Sequence, residues 1–194
     1  LDLAAMAEAA RASGAGLVFV CNPNNPTGTV HPAGAIEDLV RRVLAESPQA
    51  TVLVDEAYHE YVEDPAYASA VPLALAHDRV LVARTLSKVY GLAGLRVGYA
   101  VGRPATLAAM ARHQLGVNVN VLGAVAARAA LADRALAARE RRLNREARDF
   151  TKLDVLVGRP FPPLATHARV SIGTMDEMRA ATDVFRRVLR GAAS

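Results

Sequence analysis

Three stretches of this chain carry residues whose types and spacing could do chemistry together. Arg84-Thr85-Leu86-Ser87-Lys88 opens a run that continues through Val89-Tyr90-Gly91-Leu92-Ala93-Gly94-Leu95-Arg96-Val97 to Gly98. Asn22-Pro23-Asn24-Asn25-Pro26-Thr27-Gly28 and Asp55-Glu56-Ala57-Tyr58 lie upstream of it. Together they supply a lysine, two small hydroxyls, an arginine, a carboxylate, a phenol and an amide. A lysine amine attacks an aldehyde only when neutral, and cationic neighbours or desolvation favour that form. Hydroxyls donate to phosphate oxygens, and a guanidinium adds a planar, permanently charged fork. Such a set is suited to holding a phosphorylated aldehyde and carrying out carbonyl chemistry with it. Glycines at 91, 94 and 98 let the backbone turn closely around the anchor. Asp55 closes an apolar run, an expensive place for a carboxylate unless it is paired.

The elements that must position these groups follow from the apolar pattern. Leu17–Cys21, Thr51–Val54, Val80–Ala83 and Gly98–Val101 read as short strands, with a helix from about Pro32 to Glu46 between the first two. Near-continuous apolar runs bounded by turn residues predict an α/β fold, a mainly parallel sheet with both faces covered. Ligands of such sheets sit outside the carboxyl ends of the strands. Asn22 to Asn25 follow the first strand, Asp55 ends the second and Thr85 to Lys88 follow the third, so the chemistry falls where the topology requires it. Asn22 and Asn24 read as turn-formers. Beyond Pro104 the pattern is helical: Ala105–Gln114, Leu122–Leu131 and about Asp133–Phe150. The tail reads as a strand (Val155–Val157), a proline-rich loop, a second strand (Arg169–Ile172) and a helix (Met175–Leu189) that Asp176 helps to cap. These form a small α+β domain.

Bulk properties narrow the function classes. The 194 residues are 52% hydrophobic and only 5% aromatic, which predicts an aliphatic core. Cys21, the single cysteine, excludes an internal disulfide and reads as a small core residue. No apolar run reaches membrane-spanning length. The net charge of +4 comes largely from helical stretches with interspersed acids, such as Arg142 and Glu146 on one helix face. With no aromatic interleaving, these predict a solvated helix and no nucleic-acid partner. The five histidines lack metal-ligand spacing, so no metal site is expected.

The quoted motifs resemble those of the pyridoxal-phosphate (PLP) aminotransferase superfamily of classes I and II, fold type I, and are most similar to its histidinol-phosphate aminotransferase branch. The resemblance implies a three-layer α/β/α large domain within 1–130 and a small α+β domain within 131–194. It implies PLP as cofactor. Lys88 would be the Schiff-base lysine that also moves the substrate proton, with Thr85, Ser87 and Arg96 anchoring the cofactor phosphate. Asp55 would face the pyridine nitrogen, and Tyr58 and Asn25 the phenolic oxygen. Arg169 matches the arginine that grips the substrate carboxylate, and Arg159 one that contacts the substrate phosphate.

The resemblance also implies an amine and a 2-oxo acid as substrates, histidinol phosphate with 2-oxoglutarate first among them, a homodimer and a cytoplasmic location. The alternatives are an aromatic or other amino-acid aminotransferase, a PLP-dependent α-decarboxylase of the same fold and a non-catalytic regulator domain. The similarity omits the family's N-terminal half and a segment near Thr151-Lys152, so a protein about twice this long is expected.

Overall fold

In the computed structural model, which describes residues 1–151 together with Met175, Asp176, Arg179, Thr182 and Asp183, helices and strands alternate from the start. The order is α1 (Leu3–Ser13), β1 (Leu17–Cys21), α2 (Ala33–Glu46), β2 (Thr51–Asp55), α3 (Val71–Ala76), β3 (Val80–Thr85) and β4 (Gly98–Val101). Three helices follow: α4 (Pro104–Ala111), α5 (Val121–Ala132) and α6 (Leu136–Thr151). The chain divides into two compact units, Leu1–Leu136 and Ala137–Ser194. The expected strands Val155–Val157 and Arg169–Ile172 lie outside the described residues. Within the expected last helix, Asp176 is itself helical, and its carboxylate accepts from Arg179 at 3.2 Å.

All four strands occur where the apolar runs predicted them, in one sheet of order β1-β2-β3-β4. The first three are parallel, and β4 runs antiparallel to β3. Cys21 pairs with Asp55 and Asp55 with Ala83, so three strands end at nearly the same level. Val18, Val20, Val52, Val54, Val80 and Val82 alternate onto one face and are buried there against Ala7, Ala10, Ile36, Leu39, Val40 and Val43 of α1 and α2 and Ala74 of α3. Each fully buried aliphatic side chain of this kind contributes about 1.5–3 kcal/mol.

The opposite face departs from the expectation that both would be covered. Leu17 and Phe19 of β1 are 57% and 52% exposed, whereas Leu81 of β3 is buried. Leu81 and Leu107 of α4 both crowd Gly102, where an added Cβ would lie 2.6 Å from the Leu81 side chain. Among the described residues, then, cover on this face reaches β3 but not β1. An apolar run reports that a strand can be buried on both sides, not which element does it.

Two helices escaped the sequence pattern. α1 is an alanine-rich stretch defined by its caps: Asp2 accepts from the Ala5 N–H at 3.0 Å, and Gly14 ends the helix in a left-handed conformation (φ 62°). α3 is only six residues long with Pro72 in its first turn. α4 ends at Ala111, earlier than expected, and α6 starts at Leu136 because Asp133 belongs to the preceding turn, accepting from Ala135 N–H at 3.0 Å. The predicted Arg142–Glu146 pair forms at 3.2 Å. α2 lacks a basic residue in its last turn; Arg79 reaches across instead and donates to the carbonyls of Leu44 (2.7 Å), Ser47 (3.0 Å) and Ala50 (3.0 Å). No helix among the described residues is long and apolar enough to cross a membrane.

Candidate active site

The loop after β1 is built by its asparagines. Asn22 is buried, and its side-chain amide clasps both backbone groups of His31, accepting from N–H at 2.9 Å and donating to the carbonyl at 3.0 Å. Its own N–H donates to the Asp55 carbonyl at 3.0 Å, tying the loop to the end of β2. The Asn24 carbonyl accepts from Gly28 N–H at 2.7 Å across a tight turn in which Gly28 has φ 69°. Both residues are the turn-formers expected. They leave Asn25 at the exposed tip, and its Nδ2 donates to the Tyr58 hydroxyl at 3.2 Å.

Tyr58 lies three residues beyond the end of β2. Asp55, half-buried at the strand end, uses one carboxylate oxygen to accept from Ala57 N–H at 3.0 Å, which bends the chain into the short 3₁₀ turn His59–Tyr61. From the loop after β3, Lys88 brings its Nζ to 5.0 Å from the centre of the Tyr58 ring, a cation-on-ring contact at an exposed position. The loops behind three successive strands thus bring Asn25, Tyr58 and Lys88 into one chain of contacts.

Thr85 and Ser87 form a second group on the same loop. The Thr85 hydroxyl accepts from Ser87 N–H at 3.0 Å and lies 3.4 Å from the Val97 carbonyl. Arg96 behaves otherwise: it adopts a left-handed conformation (φ 58°) and its guanidinium donates to the Ala93 carbonyl of its own loop at 2.8 Å, exposed to solvent. Arg159 and Arg169 lie outside the described residues.

Cys21 is only partly buried rather than a core residue. Its thiol donates to the Pro23 carbonyl at 3.1 Å, and burial, with a smaller contribution from the Asp55 charge across the register, pushes its pKa up against the opposing effect of a backbone hydrogen bond from Asn25.

Sequence reasoning assigned no role to Glu56, yet it is 1% exposed and paired with Arg84 at 2.8 Å. The signal was available. Strand alternation puts residues 54 and 56, like 82 and 84, on the apolar face, and a charge placed there demands a partner. Burial alone would lower the Arg84 pKa, but the Glu56 hydrogen bonds and charge outweigh it and hold the guanidinium above its ordinary value. Beside the pair, His59 Nδ1 lies 3.1 Å from the Tyr67 hydroxyl. Burial, then the Arg84 charge, depresses the His59 pKa, and burial raises that of Tyr67. A separate cavity of about 760 Å³, lined by Arg41, Leu44, His77, Asp78 and Arg79 among others, includes none of the candidate residues.

Residues 1–181 match the family model described as aminotransferase class I and II. The chain is 40% identical over 192 residues to a histidinol-phosphate aminotransferase of Moorella thermoacetica, an alignment covering 97% of this chain and 47% of that protein. It is 46% identical over 125 residues to an aromatic amino acid aminotransferase of Mycobacterium marinum, covering 64% of this chain and 32% of that one. Among solved structures it is similar to the histidinol-phosphate aminotransferase of Sinorhizobium meliloti in complex with pyridoxal-5'-phosphate, with a TM-score of 0.69 and 32% identity over 77% of this chain and 39% of that one. The chain spans about half the length of the Moorella relative and less of the other two.

Proposed function

This chain belongs to the class I and II aminotransferases, and from that premise we propose that it transfers an amino group between an amine and a 2-oxo acid with pyridoxal 5'-phosphate as cofactor. Its mainly parallel sheet is that of the fold type I members. The observation that carries the proposal is the convergence of Lys88, Tyr58 and Asn25 at the carboxyl ends of adjacent strands, a donor set that fits a phosphorylated pyridine aldehyde. When bound, that cofactor supplies the aldehyde and an electron-withdrawing ring.

The chain's own residues do the rest. Lys88 would contribute the amine that holds the cofactor aldehyde, and the same amine would move the substrate proton. Tyr58, with its hydroxyl held by Asn25, donates toward the phenolic oxygen. Asp55 would keep a proton on the ring nitrogen, Thr85 and Ser87 would donate to the phosphate, and Arg96 would add its charge there. Arg169 binds the carboxylate of the amino-acid substrate and Arg159 a phosphate.

Histidinol phosphate is the proposed donor, on the Moorella and Sinorhizobium likenesses. The Mycobacterium relative favours a second reading, an aromatic amino acid. We further propose a cytoplasmic homodimer in which 1–130 belongs to the cofactor-holding domain and 131–194 to the smaller one. The exposed apolar side chains of α5, Val121 (74%), Leu122 (70%) and Val125 (63%), support a partner surface.

The test follows the visible spectrum of the full-length, PLP-loaded protein as histidinol phosphate is added without any oxo acid. Conversion of the cofactor band to the pyridoxamine form is expected. Conversion by tyrosine or phenylalanine alone would move the assignment to the aromatic donor, and an unchanged band with every amine would reject amino transfer.

A further inference from the structure

We propose that the buried Glu56–Arg84 ion pair is a clamp that sets the position of one half of the site against the other; the inference rests on the cofactor reading above. Glu56 Oε2 accepts from Arg84 Nε at 3.0 Å, Arg84 Nη2 at 2.8 Å and the Ser69 hydroxyl at 2.8 Å, while Oε1 accepts from Ala70 N–H at 2.6 Å. Arg84 Nη2 also donates to Ser69 Oγ at 2.8 Å, so one hydroxyl touches both charges. Glu56 is 1% exposed and the Arg84 side chain 18%.

Position in the chain gives the pair its meaning. Glu56 directly follows Asp55, and Arg84 directly precedes Thr85. Because side chains alternate along a strand, Glu56 and Arg84 share the helix-covered face with Val54 and Val82, and Asp55 and Thr85 lie on the other. The clamp therefore touches no substrate; it acts one residue behind the groups that would. Glu56 N–H donates to the Ala83 carbonyl at 2.9 Å, which carries the β2–β3 ladder one step further toward the site.

A buried ion pair is a poor way to add stability, since apolar side chains of the same volume often do as well or better. What it adds is direction. A guanidinium fork bonded to one carboxylate oxygen and one hydroxyl admits few arrangements, whereas an apolar pair tolerates sliding. With β2 and β3 pinned at this level, Tyr58, two residues beyond Glu56, and Lys88, four beyond Arg84, meet at 5.0 Å.

In the full-length protein, Glu56→Gln keeps the shape and the acceptor for Ala70 but removes the charge. The expected result is a Kd for PLP raised about 10-fold or more, by analogy with the loss in affinity when the partner that orients a metal-binding side chain is removed. The pH midpoint of the bound cofactor's visible band is expected to move with it. Leu39→Ala, a remote core variant with comparable loss of thermal stability, is expected to keep both at wild-type values. A wild-type Kd and midpoint in Glu56→Gln, or equal shifts in both variants, would overturn the clamp. If Glu56→Gln does not fold, Ser69→Ala decides: the hydroxyl donates to Glu56 and accepts from Arg84 and from Val71 N–H, so a Kd raised at least about threefold supports the clamp, and an unchanged Kd overturns it. Wild-type protein that took up no PLP would overturn the cofactor reading itself, and the clamp with it.

Discussion

Tyr58 is the residue through which the candidate site is joined. Its hydroxyl accepts from Asn25 at 3.2 Å while its ring faces Lys88 at 5.0 Å, so it links the loops behind all three parallel strands. If hydroxyl and amide donate to the cofactor's phenolic oxygen, they stabilise its deprotonated form. Tyr58→Phe is then expected to move the pH midpoint of the visible band upward by about one unit or more, since a hydrogen bond to a charged group contributes about 1.5–3 kcal/mol and one pH unit corresponds to about 1.36 kcal/mol. A spectrophotometric titration measures it, and an unmoved midpoint would remove Tyr58 from the cofactor's surroundings. The placement of Asn25, Asp55, Tyr58 and Lys88 at or just behind strand ends was legible in the sequence, because each follows or closes a short apolar run bounded by turn residues. The aim of the Arg96 guanidinium was not, because an exposed long side chain follows whatever carbonyl its loop presents. Glu56 was passed over although alternation from Val54 put it on the apolar face; its need for a partner was legible there, and the partner's identity, 28 positions away, was not.

At the scale of elements, β4 closes the site against β3, and Gly98 sets how near it can come. Gly98 pairs with Thr85, and a Cβ added there would lie 2.9 Å from the Arg84 carbonyl oxygen, which is backbone and cannot step aside. Gly98→Ala is expected to destabilise the protein by about 1–3 kcal/mol, as overpacking generally does, and to weaken PLP binding by displacing Thr85. Denaturant midpoints and a PLP titration test both, and a variant as stable and as tightly binding as wild type would contradict this packing. The strands were readable because valine-rich runs of this length between turn residues have few other uses. α1 and α3 were not, since an alanine-rich helix held by its caps and a helix of six residues carry little periodic signal. The exposure of Leu17 and Phe19 was equally hidden: strand composition does not reveal which face finds a cover.

For the molecule as a whole, acid sensitivity follows from two histidines whose surroundings disfavour the protonated ring. Burial depresses the pKa of His31, and burial followed by the Arg84 charge depresses that of His59. The unfolded chain therefore takes up protons first as pH falls, so stability present above about pH 6.5 is lost below it. Glu60 acts in the opposite sense: burial raises its pKa, so its contribution is present in acid and lost as pH rises through the folded-state value. His59→Gln, which retains a partner for Tyr67, isolates the histidine term. The melting temperature of the variant is expected to fall less than that of wild type between about pH 8 and pH 6, and parallel curves would show that His59 does not contribute.

On the proposed function, Lys88 is the amine that would hold the cofactor. This role is tested most directly by reducing the full-length, PLP-loaded protein with borohydride, digesting it and locating the pyridoxyl group by mass spectrometry. A single modified peptide is expected, with the adduct on Lys88 and none in Lys88→Ala. An adduct on another lysine, or one that survives in Lys88→Ala, would contradict it.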